Sequence, residues 1–87
     1  MLPLSLINQG ENVIIVKVHS KDAEKKHLED MGFVASERMH VISNHNGDVI
    51  VELKGTKLAI TKEIAAKIFV NIINDNATLD DKRIVNK

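Results

Sequence analysis

Four histidines, four serines and twelve acidic side chains are the residues of this 87-residue chain best able to do chemistry. A metal centre built on histidine needs ligands brought together, commonly by i, i+4 spacing on a helix. His19, His27, His40 and His45 form no such pair, and no carboxylate-rich loop of the kind that holds calcium is present. Cysteine is absent, which removes disulfides and thiolate sites. Ser5, Ser20, Ser36 and Ser43 stand in no context that would activate a nucleophile. Glu29-Asp30 and Asp80-Asp81 are adjacent pairs, about 100° apart on a helix, which suits solvated charge rather than shared acid–base work. Gly55-Thr56-Lys57 has the letters of a phosphate loop but lies between two strand-like runs and reads as a turn. These absences predict a protein that is no enzyme, with no cofactor and no metal site of its own.

Charge and composition narrow the partners. Twelve basic residues balance twelve acidic ones, with a sequence pI near 6.9. A nucleic-acid module carries a basic patch or a pI above ~9, so no nucleic-acid partner is expected. Aromatics make up 2% of the chain, as Phe33 and Phe69 alone, and both read as packing residues. That leaves nothing to line a groove for Pro-rich peptides or to stack bases. The apolar opening, Met1 to Ile7, lacks the basic flank and the length of an export signal. No run approaches the ~20 apolar residues of a spanning helix, so direct membrane insertion is not expected.

The elements that must position these residues are short. Leu4 and Leu6 alternate with Pro3 and Ser5 as a first strand, and Asn8-Gln9-Gly10-Glu11 turns the chain. Val13 to Val18 is a second strand, with Ile14, Val16 and Val18 as its core face. Ser20 or Asp22 caps a helix whose Ala23, His27, Leu28 and Met31 share one side. Gly32 closes that helix as a positive-φ residue, which makes Leu28 and Phe33 the touching pair of a Schellman ending.

Arg38 to Ser43 and Val49 to Lys54 read as a hairpin with two allowed registers. A two-residue Asn46-Gly47 turn is the stronger local signal. A three-residue His45-Asn46-Gly47 loop instead makes the inner face apolar on both strands, pairing Met39 with Leu53 and Val41 with Val51. The cost of burying polar groups favours the second. It also sets His40 beside Glu52 and Ile42 beside Ile50 on the outer face. Gly55-Thr56 turns into a strand with Leu58 and Ile60 inward. Thr61 caps a brief helical turn, and Ile68-Phe69-Val70 is the last strand. From Asn74 the chain is polar, with Thr78 able to start a last helical turn. The expected fold is mainly β: a small five-stranded barrel with one inserted short α-helix, occupying residues 1–73, and a polar tail at 74–87.

The order of these signals resembles the ferrous iron transport protein A (FeoA) family, whose fold is an SH3-like barrel. The likeness is carried by Leu4-Ser5-Leu6, Gly10-Glu11, Ile14-Val16-Val18 and Leu28-Glu29-Asp30-Met31-Gly32-Phe33. Met39-His40-Val41, Val49 through Thr56, Leu58-Ala59-Ile60 and Ala65 through Val70 complete it, over about residues 4 to 70. Two departures fall in loops: Ala35-Ser36 stands where the family has a Pro-Gly step, and the hairpin tip is shorter.

The resemblance implies a small cytoplasmic accessory of ferrous iron uptake and iron homeostasis. Its implied partner is the cytoplasmic part of a FeoB-type membrane GTPase transporter, and weak self-association is compatible with that role. The same barrel also occurs as a domain of metal-dependent repressors, which gives transcriptional regulation as the alternative. On the residues themselves, Ile42 and Ile50 are the candidate partner-binding pair. The other reading packs them beneath the tail or a neighbouring strand.

Overall fold

A chain rich in Val, Ile and Leu and nearly free of aromatics favours strands closed on an aliphatic core. A computed structural model describes residues 1–73, and expectations for the 74–87 tail, including a helical turn from Thr78, lie outside the described residues. The strands are β1 (Leu2–Pro3), β2 (Asn12–Val18), β3 (Arg38–His45), β4 (Asp48–Leu53), β5 (Thr56–Ile60) and β6 (Ile68–Ile72). They form one sheet in the order β1-β6-β2-β3-β4-β5, and every neighbouring pair is antiparallel. Helix α1 (Asp22–Asp30) follows β2, and the single turn α2 (Lys62–Ala65) joins β5 to β6. The buried cluster runs from Leu4 to Val70, with Phe33 as its largest member and no polar side chain among the described residues.

The mainly β fold with one inserted helix is as expected, but the described residues form six strands. Leu4-Ser5-Leu6 is a 3₁₀ turn and not the first strand. Leu4 and Ile7 are the buried pair, three residues apart, while Leu6 is 66% exposed. The Ile7 N–H closes the turn on the Leu4 carbonyl at 3.1 Å. Strand β1 lies just ahead, at the sheet edge where Pro3 forfeits no ladder bond.

Two β-bulges shift residue faces from simple alternation. In β2 the buried residues are Val13, Ile15 and Val18, while Ile14 is half-buried and Val16 exposed. Ile15 pairs with Val70 and Lys17 with Phe69, so Val16 is an extra residue that switches the inward frame from odd to even. In β3 the same thing happens at Ile42. His40 faces Glu52 and Val41 faces Val51, as the longer loop requires, but Ser43 faces Ile50 and His45 faces Asp48. The tip is therefore the two-residue Asn46-Gly47 turn, with φ of 54° and 101°. The expected Ile42–Ile50 pairing does not form. The bulge satisfies the tight turn and the apolar inner face together, so the hairpin follows one register near the β4–β5 turn and the other at its tip. The β4–β5 turn likewise sits at Lys54-Gly55, one residue earlier than expected, because Leu53 faces Thr56.

Helix α1 ends as its sequence indicates. Gly32, at φ 107°, donates to the Glu29 carbonyl at 2.9 Å, and Phe33 donates to the Leu28 carbonyl at 2.9 Å. Those are the two bonds of a Schellman ending, and both Leu28 and Phe33 are buried. A Cβ at Gly32 would stand 3.0 Å from Leu53 Cδ2, so the glycine also serves close packing. The rest of the helix is less embedded than expected: Ala23 and His27 are exposed and Met31 is 37% exposed. A nine-residue helix tied down by its last turn has only one residue to bury.

Candidate docking surface

Strands β3, β4 and β5 present an outer face whose rows follow from the register. One row runs His40, Glu52, Lys57; the next runs Ser43, Ile50, Ala59. Alternation on β4 buries Val49, Val51 and Leu53 and leaves Ile50 and Glu52 outside. Ile50 is thus a large aliphatic side chain 40% exposed between two small neighbours, Ser43 and Ala59. The small neighbours leave a groove of about 300 Å³ beside it, extending past Ile60 to Thr61 and bordered at the hairpin tip by His45 and Asp48. Ile42, the bulge residue, is half-buried and is not part of that groove. Of the two candidate residues, then, Ile50 lines a concave apolar surface and Ile42 stands aside from it.

Two residues that carry no distinguishing local signal build the end of this surface. Asn44 donates through Nδ2 to the Ser5 carbonyl at 3.1 Å and the Ile7 carbonyl at 2.6 Å. Its Oδ1 accepts from the Gly47 N–H at 2.8 Å. One amide therefore holds the 3₁₀ segment and the hairpin tip together. Asp48 accepts from the Lys62 N–H at 2.7 Å and so caps α2. Thr61 occupies the cap position, but its own side chain makes no cap bond. A second cavity, of about 660 Å³, is lined by residues that include Leu6, Asn44, Gly47 and Lys62. The Asn-Gly pair was the one available signal for this region, since it fixes a tight turn around which asparagine side chains find backbone partners.

Elsewhere several polar side chains make structural contacts. The Glu24 carboxylate receives the Lys67 ammonium at 2.7 Å and the Ser20 hydroxyl. These hydrogen bonds, Lys67 first and Ser20 second, hold its pKa below the ordinary carboxylate value. The pair ties α1 to the chain leading into β6. His40 Nδ1 lies 2.8 Å from Asn12 Oδ1. Among the described residues no three His, Asp or Glu side chains gather as a metal site requires, and no helix is long and apolar enough to cross a membrane. Phe69 is not spent in the core: it is half-buried, with Lys17 Nζ 5.6 Å from its ring centre. Phe33 alone is a core aromatic.

Comparison with known proteins agrees with this architecture. The sequence pattern of the FeoA domain matches residues 2–72. A relative from Methanocaldococcus jannaschii, bearing the name "Putative Fe(2+) transport protein A", is 37% identical over 70 residues, covering 80% of this chain and 85% of its own. The crystal structure of an iron uptake regulatory protein (FeoA) superposes with a TM-score of 0.77 at 26% identity, over 83% of this chain and 97% of that one. Stenotrophomonas maltophilia FeoA, solved as a zinc complex and described as a prokaryotic SH3 domain protein, gives a TM-score of 0.70 at 22% identity, over 82% and 90% of the two chains. The SH3-like fold is shared with these proteins.

Proposed function

The chain belongs to the FeoA family, and from that premise we propose that it is an accessory of ferrous iron uptake. It acts by contact with the cytoplasmic part of a FeoB-type GTPase transporter and performs no catalysis itself. The observation that supports contact over chemistry is the β4 outer face. There the largest exposed side chain is an isoleucine in a shallow apolar groove, ringed by short and charged residues. Interfaces concentrate their energy in such a central apolar anchor with a polar rim. By contrast, Glu24 is engaged by Lys67 and Ser20, Glu37 pairs with Lys54, His40 lies against Asn12, and Asp48 caps α2.

The test is binding of the full chain to the cytoplasmic region of the FeoB-type transporter of the same genome. Replacing Ile50 and Ile42 together by Thr keeps strand propensity and removes the apolar anchor. Calorimetry should show binding by the natural chain and a loss of about tenfold or more in the double variant, the scale of a centrally placed anchor. Equal affinity from a variant with an unchanged circular dichroism spectrum places docking elsewhere. No binding by the natural chain overturns the accessory role.

A further inference from the structure

Strand β5 is an edge of the sheet, and no strand among the described residues pairs with its outward side. Leu53 and Thr56 close the two-residue Lys54-Gly55 turn and are therefore a hydrogen-bonded pair. Pair types alternate along an antiparallel ladder, so Leu58–Val51 and Ile60–Val49 are bonded pairs as well. Lys57 and Ala59 lie between them and turn their N–H and C=O groups away from β4. None of the turn, loop or side-chain hydrogen bonds among the described residues reaches either one. Both are exposed, and the inward Leu58 between them is only half-buried. The edge therefore offers two donors and two acceptors at the spacing of one further antiparallel or parallel strand.

We propose that an extended acidic segment of the transporter's cytoplasmic region adds to β5 as a seventh strand. This inference rests on the accessory role proposed above and specifies how the contact is made. The side chains of Lys57 and Ala59 share the outer face with Ile50. A partner residue opposite Ala59 lies over the Ile50 groove and is apolar; the one opposite Lys57, two residues away on the same face, is Asp or Glu. Lys57 is free to receive it, because among the described residues it makes no ion pair, even with its cross-strand neighbour Glu52. Lysine in the middle of an edge strand also discourages pairing with a second copy, which would bring another Lys57 to the same short ladder. Charge thus favours an acidic partner over self-association.

Single-residue amide exchange by NMR on the full chain tests this. Without partner, Leu58 and Ile60 should be protected and Lys57 and Ala59 should exchange fast. Adding the transporter's cytoplasmic region should slow Lys57 and Ala59 by about tenfold or more, as formation of ladder bonds does. Ala59→Pro removes an outward donor on an edge strand, where proline is tolerated, and Lys57→Glu reverses the charge; each should weaken binding, and neither removes a hydrogen bond to β4. Binding without new protection at Lys57 and Ala59 overturns strand addition and leaves the accessory role intact. No binding overturns both. Protection already present without partner means that residues 74–87 or a second copy cover the edge, and also overturns the proposal.

Discussion

Gly47 and Lys62 touch so closely that a Cβ on the glycine would stand 2.6 Å from Lys62 Cγ and 3.1 Å from its Cβ. The β3–β4 turn is thus seated on the first residue of α2, and the Asp48 bond to the Lys62 N–H locks the same contact from the other side. This joint ties the β3–β4 turn to the segment that leads from β5 to β6.

Gly47→Ala should therefore destabilise the domain on two counts. A side chain at φ 101° is strained, and it meets the Lys62 stem. The expected loss is about 1–3 kcal/mol in urea unfolding, the usual cost of a disallowed backbone position. Adding Lys62→Ala should recover part of it by removing Cγ and Cδ. Strict additivity of the two substitutions would show that the contact carries no energy.

Asn44→Ala should cost about 1–3 kcal/mol, because it strips hydrogen bonds from the Ser5 and Ile7 carbonyls and from the Gly47 N–H. Asn44→Asp keeps the acceptor and loses both donors, so it should be no better than intermediate. If the urea midpoint of Asn44→Asp equals that of the natural chain, the clamp on residues 5 and 7 is energetically idle.

The Glu24–Lys67 pair sets an acid limit. A carboxylate whose folded pKa lies below its unfolded value binds fewer protons when folded, so its contribution is complete above the ordinary value of 4.5. That contribution is lost as pH falls from about 4.5 through the lowered value. Glu24→Gln should be less stable than the natural chain at pH 7, with the two unfolding curves converging in acid. Added salt should narrow the gap at pH 7, because both side chains are partly exposed. A difference that stays constant from pH 7 to pH 3 would point to lost packing instead.

What could be read from residues alone was what residues determine locally. Gly32 between Met31 and Phe33 specifies its own helix ending, because the Schellman bonds span only Leu28 to Phe33. Asn46-Gly47 specifies its own turn. The inward faces of β2 and β3 depend on something nonlocal: where along a ladder one surplus residue is set aside. Alternation counted from Val18 backwards gives Val16 and Ile14; counted from Val13 forwards it gives Ile15, and only pairing with β6 shows that both counts hold on either side of Val16. The outward placement of Ile50 was legible because β4 has no bulge. Asn44, Asp48 and the outward amides of β5 were not, since their roles depend on which backbone groups the completed sheet leaves unpaired.

The bulges also mark where the chain can change its length. Removing one residue elsewhere in β3 would carry every later side chain to the opposite face. Removing Ile42 would leave Val41 opposite Val51, Ser43 opposite Ile50 and Asn44 opposite Val49, each on its present side. Val16 has the same property between Ile15 and Lys17. At these two positions a codon can be lost at the cost of local twist, with the wiring of the core unchanged.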